Sequence, residues 1–444
     1  MMSACRAFRL LSVALAAIVF INNTYTVLCF SSLDGGSGRV RYSPSKTMIL
    51  KNDDTDTDSD IDIDSSSSSI SRIGVLTSGG DCPSINACIR AIYKTAKMKG
   101  IEVWGFPRGL PGLLKMDGSP PDAFKLDETF QSASMLNKGG SRLGGFVAKD
   151  FLGTDSLTLE EKSIRISLSL QELGIDGIIA TGGDTSFDRI ANLLQHNNAG
   201  SGSGVVDTPP KFSFVGIPKT IDNDIPETIY PLGFQSAVST AAKAIASVRD
   251  TAESHRRIIV VECMGRDAGF LTLHAGLGGG ADTILLPEFP IDKSSLLEHV
   301  KKIYSENQCS VIAVSESIRL PQTGTTSRYK TADGRQRLGG SAEAIARFLA
   351  ESLKVDARHI VLGHTQRGGS PNSFDKVLAT TLGAYAVNVL CDGQSEVFVT
   401  RNGNKVNVVP LDKVRDTASS SKSIDPDYPE LQAALAMGIY CGSI

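Results

Sequence analysis

The chain has 444 residues, of which 41% are apolar and 21% charged, enough to fill more than one hydrophobic core and too much to leave the whole chain disordered. A formal net charge of -3 and a single Trp leave no basic surplus and no aromatic-basic stripe, which excludes nucleic acid as the expected partner. The eight cysteines show neither CxxC nor Cys/His ligand spacing, so they read as buried free thiols with no zinc site.

Residues 1–31 carry no acidic side chain, have Arg6 and Arg9 near the start, and run apolar from Leu10 to Ile21. About a dozen apolar residues fall short of the ~20 that span a bilayer, so this is the layout of a removable targeting signal, with a short signal anchor as the alternative and no membrane segment expected in the mature form. The Ser- and Arg-containing tract FSSLDGGSGRVRYSPSKT follows. Together they resemble the bipartite presequences of algae whose plastids lie inside an endomembrane. A plastid is the expected address, another endomembrane-routed compartment the alternative. Residues 32–71 read as this transit-like tract followed by a disordered linker: DDTDTDSDIDIDSSSSS at 53–69 has too little apolar surface to offset chain entropy.

From Arg72 onward, short apolar runs alternate with helical patterns. The runs are IGVLT (73–77), IDGIIA (175–180), FSFVGI (212–217), RIIVVE (257–262), DTILLP (282–287), CSVIAV (309–314) and HIVLG (359–363). Continuous apolar runs imply strands buried on both faces, and helical stretches at 84–98, 159–173, 236–249 and 341–354 give the rhythm of βαβ units. The expected fold class is α/β, with two doubly wound parallel-sheet lobes and the active site in the cleft between them. The expected lobes are 72–233 plus 366–415 and 234–365 plus 416–444. The Gly/Ser-rich 198–205 and Ser-rich 418–423 read as surface insertions.

Ligands in such folds bind beyond the carboxyl ends of the strands. The first strand ends in TSGGDCPSINA, where Gly79, Gly80 and Asp81 stand before a helix. Glycines there let backbone N–H groups approach a phosphate, although plain structural turns have the same composition. A second such turn, ATGGDTS, places Gly182, Gly183 and Asp184 after a buried strand. A third strand delivers PKTIDND, crowding Lys219, Thr220, Asp222 and Asp224 together. That density suits phosphoryl transfer, in which one carboxylate holds Mg²⁺ while another accepts a proton from the attacking hydroxyl.

In order, TSGGDCPSINA, ATGGDTS, PKTIDND, RDTAESHRR, VVECMGRDAG and VLGHTQRGGSPNSFD resemble the signature segments of the bacterial-type 6-phosphofructokinase family. The similarity covers about residues 72–444, and the closing AMGIYCG looks like the branch with both ATP- and pyrophosphate-dependent members. The resemblance implies Mg²⁺-dependent phosphorylation of fructose 6-phosphate at its 1-hydroxyl, a step of glycolysis, with 72–233 plus 366–415 as the donor-binding lobe and 234–365 plus 416–444 as the sugar-phosphate-binding lobe. It makes Asp222 the general base with Thr220 beside it, and puts Asp184 and Asp224 on the metal. Gly80, Gly183, Asp184, Thr185, Ser186 and Lys219 fall at donor-binding positions. Met264, Gly265 and Arg266 contact the sugar, Arg266 also offsetting charge on the transferred group. Glu316 matches the sugar-hydroxyl acceptor, and His364 and Arg367 match the 6-phosphate ligands. Arg257 and Arg358 match positions that reach the 6-phosphate from a neighbouring subunit, which implies a homodimer or homotetramer with shared sites.

The sequence departs from the family at three places. Thr185 stands where ATP users usually carry Gly and pyrophosphate users Asp, while Lys219 is typical of pyrophosphate users and also occurs in ATP-dependent members. ATP is favoured as donor, chiefly because it is the commoner one in this kind of enzyme and also because Thr185 lacks a carboxylate that would repel a nucleotide phosphate, with a pyrophosphate--fructose 6-phosphate 1-phosphotransferase as the alternative. Val147 occupies the place of an Arg that helps hold the donor, with Lys149 or Arg142 as substitutes. Arg90, Lys94 and Arg249 match effector-site cations, but Ser305 and Asn307 stand where that site has lysines. Two rival readings are an NAD or lipid kinase, which shares only the GGD-type turn, and a non-catalytic sugar-phosphate-binding subunit, against which Asp184, Asp222, Asp224 and Arg266 speak.

Overall fold

The apolar runs form strands where the burial pattern requires them. In the computed structural model they build two sheets within residues 67–444, while residues 1–66 form a separate unit. The structure describes residues 17–21, 24–28, 70–107, 109–114, 120–145, 157–195, 212–320, 324–325, 327–330, 336–415 and 422–443. In the first unit, Ala17–Ile21 and Thr24–Leu28 pair as an antiparallel hairpin. The transit-like tract, the acidic linker at 53–69 and the 198–205 insertion lie outside the described residues. No helix among the described residues is long and apolar enough to cross a membrane.

The larger sheet contains β1 (Arg72–Thr77), β2 (Glu102–Gly105), β3 (Phe124–Lys125), β4 (Gly177–Gly182) and β5 (Ser213–Thr220). The smaller comprises β6 (Ile258–Cys263), β7 (Thr283–Leu285), β8 (Ser310–Ser315) and β9 (Ala357–Val361). A late hairpin, β10 (Val397–Asn402) and β11 (Lys405–Pro410), returns to the larger sheet. The strand orders are β11-β10-β5-β4-β1-β2-β3 and β7-β8-β6-β9. The smaller sheet is parallel throughout, and in the larger one only β3 and β11, at the edges, run antiparallel to their neighbours. Every residue of β4 and of β6 is buried, as strands covered on both faces require.

Helix α1 (Ile85–Met98) follows β1, α2 (Leu159–Glu172) precedes β4, and α3 (Asp184–Gln195) opens directly after β4. A capping box fixes the start of α2: the Thr158 side chain accepts from the Glu161 N–H while Glu161 accepts from the Thr158 N–H, so two otherwise unpaired donors are satisfied. Helix α4 runs from Phe234 to His255, longer at both ends than its predicted core, because Phe234 and Ala252 also face the interior. The remaining helices of eight or more residues among those described are α5 (Phe270–Gly279), α6 (Lys293–Asn307), α7 (Ser341–Leu353), α8 (Ser373–Cys391) and α9 (Pro429–Ala436). Helices α1 and α8 pack on each other, as do α4 and α5. The described cysteines are free, and all but Cys391 are buried.

Candidate active site

The carboxyl ends of β1, β4 and β5 form one wall. Ser78 N–H donates to Thr181 O at 2.9 Å, tying the turns after β1 and β4 together. Gly79 has φ +78°, a conformation that costs a side-chain-bearing residue energy. Lys219, at the end of β5, is 3% exposed. Its ammonium donates to Ser78 O at 2.7 Å and to Gly80 O. Burial lowers its pKa to about 8, against the raising influence of Cys82, Asp81 and Asp222. Lys219 thus closes the floor of a cavity of about 330 Å³ between Thr77, Gly79 and Asp81 on one side and Ser141, Gly144 and Gly145 on the other. Ser186, in the first turn of α3, lies buried close by, its Oγ 3.6 Å from where a Cβ on Gly79 would stand. Asp184 and Thr185 open α3, and their side chains lie outside the described residues.

The far wall of this cavity is held by a residue the sequence reading did not single out. Asn86 is fully buried; its Nδ2 donates to Lys138 O at 2.9 Å and Gly139 O at 3.2 Å, and its Oδ1 accepts from Arg142 N–H at 2.7 Å. A polar residue on the apolar face of INACIRAI was the signal, since buried amides are retained where their bonds are filled. Arg142, a suggested substitute for the missing donor arginine, stacks over Phe130 at 4.2 Å from the ring centroid and is not among the cavity-lining residues. Val147 and Lys149 lie outside the described residues.

Between the two walls stands the TIDND turn. Asp222 N–H donates to Thr220 Oγ1 at 3.0 Å, and Asn223 takes φ +58°. The Asp222 carboxylate is nearly buried: Oδ1 has no hydrogen-bond partner, and Oδ2 lies 3.7 Å from Arg266 Nε. Burial raises its pKa above the ordinary carboxylate range; Arg367, Arg266 and Lys219 oppose the rise, and Glu316 adds to it. The result is an aspartate of increased basicity with one oxygen unengaged.

The opposing wall comes from the smaller sheet. After β6 the chain passes through Met264, Gly265 (φ +145°) and Arg266 (φ +51°). A Cβ on Gly265 would lie 2.6 Å from Ala268 O, so this sharp turn requires glycine. Arg266 is fixed at its backbone, its N–H donating to Glu316 Oε1 at 3.1 Å and its carbonyl accepting from Ser317 Oγ. Its guanidinium remains exposed in front of Asp222. Burial raises the pKa of Glu316, opposed first by the N–H groups of Arg266 and Gly265.

Arg367 lies close enough to act on both Asp222 and Glu316, whereas the Arg257/Arg358 pair is placed elsewhere. Arg367 follows the short turn Gly363–Gln366 and donates from Nη1 to Asp81 O at 3.2 Å; a Cβ on Gly80 would lie 2.7 Å from that nitrogen. Its guanidinium therefore lies between the donor turn and the Asp222 and Glu316 carboxylates, whereas His364 is exposed. Arg257 and Arg358 stand at the amino ends of β6 and β9 and share Asp356, at 2.6 and 2.7 Å. The strand between Arg257 and Met264 separates them from the catalytic turn by about 20 Å. Of the effector-site cations, Arg90 donates to Gln131 O and Ser132 O, and Arg249 pairs with Asp282.

Glycine turns at strand ends, an underlying lysine, and an aspartate faced by an arginine across a cleft define the class of α/β phosphoryl-transfer enzymes. The chain belongs to the phosphofructokinase family, whose family model matches residues 72–390, and it is an enzyme. It is 37% identical over 367 residues, 81% of this chain and 96% of the relative, to a pyrophosphate--fructose 6-phosphate 1-phosphotransferase of Dictyoglomus thermophilum. It is 36% identical over 368 residues, 83% of this chain and 100% of the relative, to ATP-dependent 6-phosphofructokinase 1 of Thermus thermophilus. Among solved structures, phosphofructokinase of Saccharomyces cerevisiae superposes with a TM-score of 0.65 at 28% identity; the match covers 79% of this chain and 45% of the yeast chain. The fold is shared as well with the pyrophosphate-dependent phosphofructokinase of Nitrosospira multiformis, with a TM-score of 0.66 at 21% identity, covering 84% of this chain and 92% of that one.

Proposed function

We propose that the protein transfers a phosphoryl group to the 1-hydroxyl of fructose 6-phosphate, giving fructose 1,6-bisphosphate, with ATP as donor. The observation that carries this reading is Asp222: a buried carboxylate of raised proton affinity, one oxygen unengaged, faced by the Arg266 guanidinium. Asp222 takes the proton as the hydroxyl oxygen attacks, and Thr220 Oγ1 holds the turn that presents it. Arg266 faces the position where negative charge accumulates on the transferred group, and its backbone is anchored so that it costs little to reorganise. Glu316 accepts a sugar hydroxyl. Lys219 and Gly79 receive the donor phosphates in the cavity they line, with Gly80 beside Gly79 on the same turn.

The residues present fit Mg²⁺. No three His, Cys, Asp or Glu side chains cluster as a metal cage among the described residues, but Mg²⁺ in such sites needs only one or two carboxylates, with phosphates and water completing the shell. Asp224 and Asp184 would hold it, and bound there it would neutralise charge on the donor phosphates.

Pyrophosphate as donor is a second reading, favoured by Lys219, whose buried ammonium borders a cavity lined by small residues. Assaying the purified protein with fructose 6-phosphate and Mg²⁺, supplying ATP, ADP or pyrophosphate in turn, separates the two. Turnover with ATP is expected; turnover with pyrophosphate alone overturns the choice of donor, and none with any donor overturns the function. We further propose that two or four copies share sites through Arg257 and Arg358, and that residues 1–71 direct the protein to a plastid. A fluorescent fusion carrying residues 1–71 is expected in the plastid; retention in the secretory route would refute that address.

A further inference from the structure

The loop that leaves the catalytic turn contains two non-glycine residues in the left-handed region, Asn223 and Glu227, both with φ +58°. Such residues persist where surrounding contacts over-determine them. Each is followed by a carbonyl held by the same distant residue. Lys422 N–H donates to Asp224 O at 3.1 Å, and Lys422 Nζ donates to Thr228 O at 3.2 Å. The ammonium lies 4.7 Å from the centroid of Phe270, the first residue of α5, on the helix that follows the Arg266 turn. The segment after Lys422 is itself anchored: Glu288 Oε1 accepts from both Ile424 N–H at 3.2 Å and Gly269 N–H at 2.8 Å. Tyr428 stacks edge-on against Phe270, and its hydroxyl meets His274 Nε2 at 3.0 Å. The segment 422–428 therefore lies as a strap from the catalytic loop of the larger sheet to the helix carrying the opposing wall.

We propose that Lys422 is a positioning residue for phosphoryl transfer, pinning the loop at Asp224 and Thr228 so that Asp222 and Asp224 stay aligned with Arg266. It touches neither the sugar nor the donor in this scheme; it fixes the backbone from which both carboxylates project. Its action on catalysis rests on the reading of Asp222 as base, while its action on the loop does not, and the two are measured separately. Lys422→Met keeps an unbranched stem over Phe270 and the main-chain bond to Asp224, and removes the ammonium. Lys422→Arg keeps a cation able to reach Thr228 O.

Lys422→Met is expected to lower kcat about 10- to 100-fold, as misplacement of a catalytic group does, with a much smaller change in KM for fructose 6-phosphate. Amide hydrogen exchange at residues 223–229 is expected to accelerate without a matching change in β6 or α4, and Lys422→Arg to recover both kcat and protection. Unchanged exchange at 223–229, or kcat per folded molecule equal to wild type, overturns the proposal. So does a Lys422→Arg variant as impaired as Lys422→Met. If the wild-type protein phosphorylates no sugar, the function fails independently, and exchange alone decides whether Lys422 holds the loop.

Discussion

Asp222 and the Arg257/Arg358 pair serve one proposed reaction, yet they are built in opposite ways. Asp222 is 4% exposed, and beside that burial it is tuned by Arg367, Arg266, Glu316 and Lys219. Arg358 and Arg257 stand at the amino ends of β9 and β6, sharing the carboxylate of Asp356, whose pKa both hold down. Exposed ion pairs of this kind contribute little stability, so on the proposed sharing of sites a sugar phosphate held by a second copy would displace only a weak partner. The comparison teaches that a buried carboxylate tuned by several nearby charges and an exposed pair of arginines sharing one carboxylate are built for different tasks; on the proposed sharing of sites, the arginines are the groups a neighbour's sugar phosphate would engage.

The largest effect that sharpens this contrast is expected at Arg266. Arg266→Ala should lower kcat about 100- to 1000-fold, the cost of removing a preorganised group that faces developing charge, in steady-state assays at saturating substrate. A change confined to KM would place Arg266 with ground-state sugar binding instead.

A smaller and different effect is expected at the arginine pair. Arg358→Ala should raise KM for fructose 6-phosphate about 10-fold or more while kcat stays within a few-fold, since it removes charge-assisted binding felt equally before and during transfer. Mixing and reassembling Arg358→Ala with an Asp222→Ser protein should produce activity above the sum of the two, because hybrid oligomers contain one intact shared site. Additive activity alone would show that the edge arginines act within their own chain or not at all.

The smallest effect is pH-dependent. Burial lowers the pKa of Lys219 to about 8, so its charge is present below that pH and lost as pH rises through it. The ratio kcat/KM for the donor is therefore expected to fall above pH 8, and Lys219→Met to flatten that limb. A limb that survives the substitution belongs to another group.

Most of the parallel architecture was legible because buried strands write continuous apolar runs, and each of the seven predicted runs overlaps an observed strand. The hairpin at β10 and β11 was passed over although Asn402, Gly403 and Asn404 mark its turn. The residues of the catalytic turn were legible as a local density of charge. Orientation was not: the resemblance puts Arg367 on the sugar phosphate, and nothing in GHTQRGG tells that its side chain also meets Asp81 O at the donor turn. Lys422 was hidden for another reason. Its Ser-rich neighbourhood at 418–423 reads as a surface insertion, yet Lys422 is half-buried against Asp224 and Thr228, contacts made across nearly 200 residues that no local pattern records.

The central claim is that Asp222 accepts the proton of the sugar hydroxyl. It is tested most directly by comparing wild type and Asp222→Ser for calorimetric binding of fructose 6-phosphate and for formation of fructose 1,6-bisphosphate in the same preparations. The account predicts binding within a few-fold of wild type and turnover lower by about 100- to 10,000-fold, the range for loss of a general base. Turnover at the wild-type rate in Asp222→Ser would contradict it.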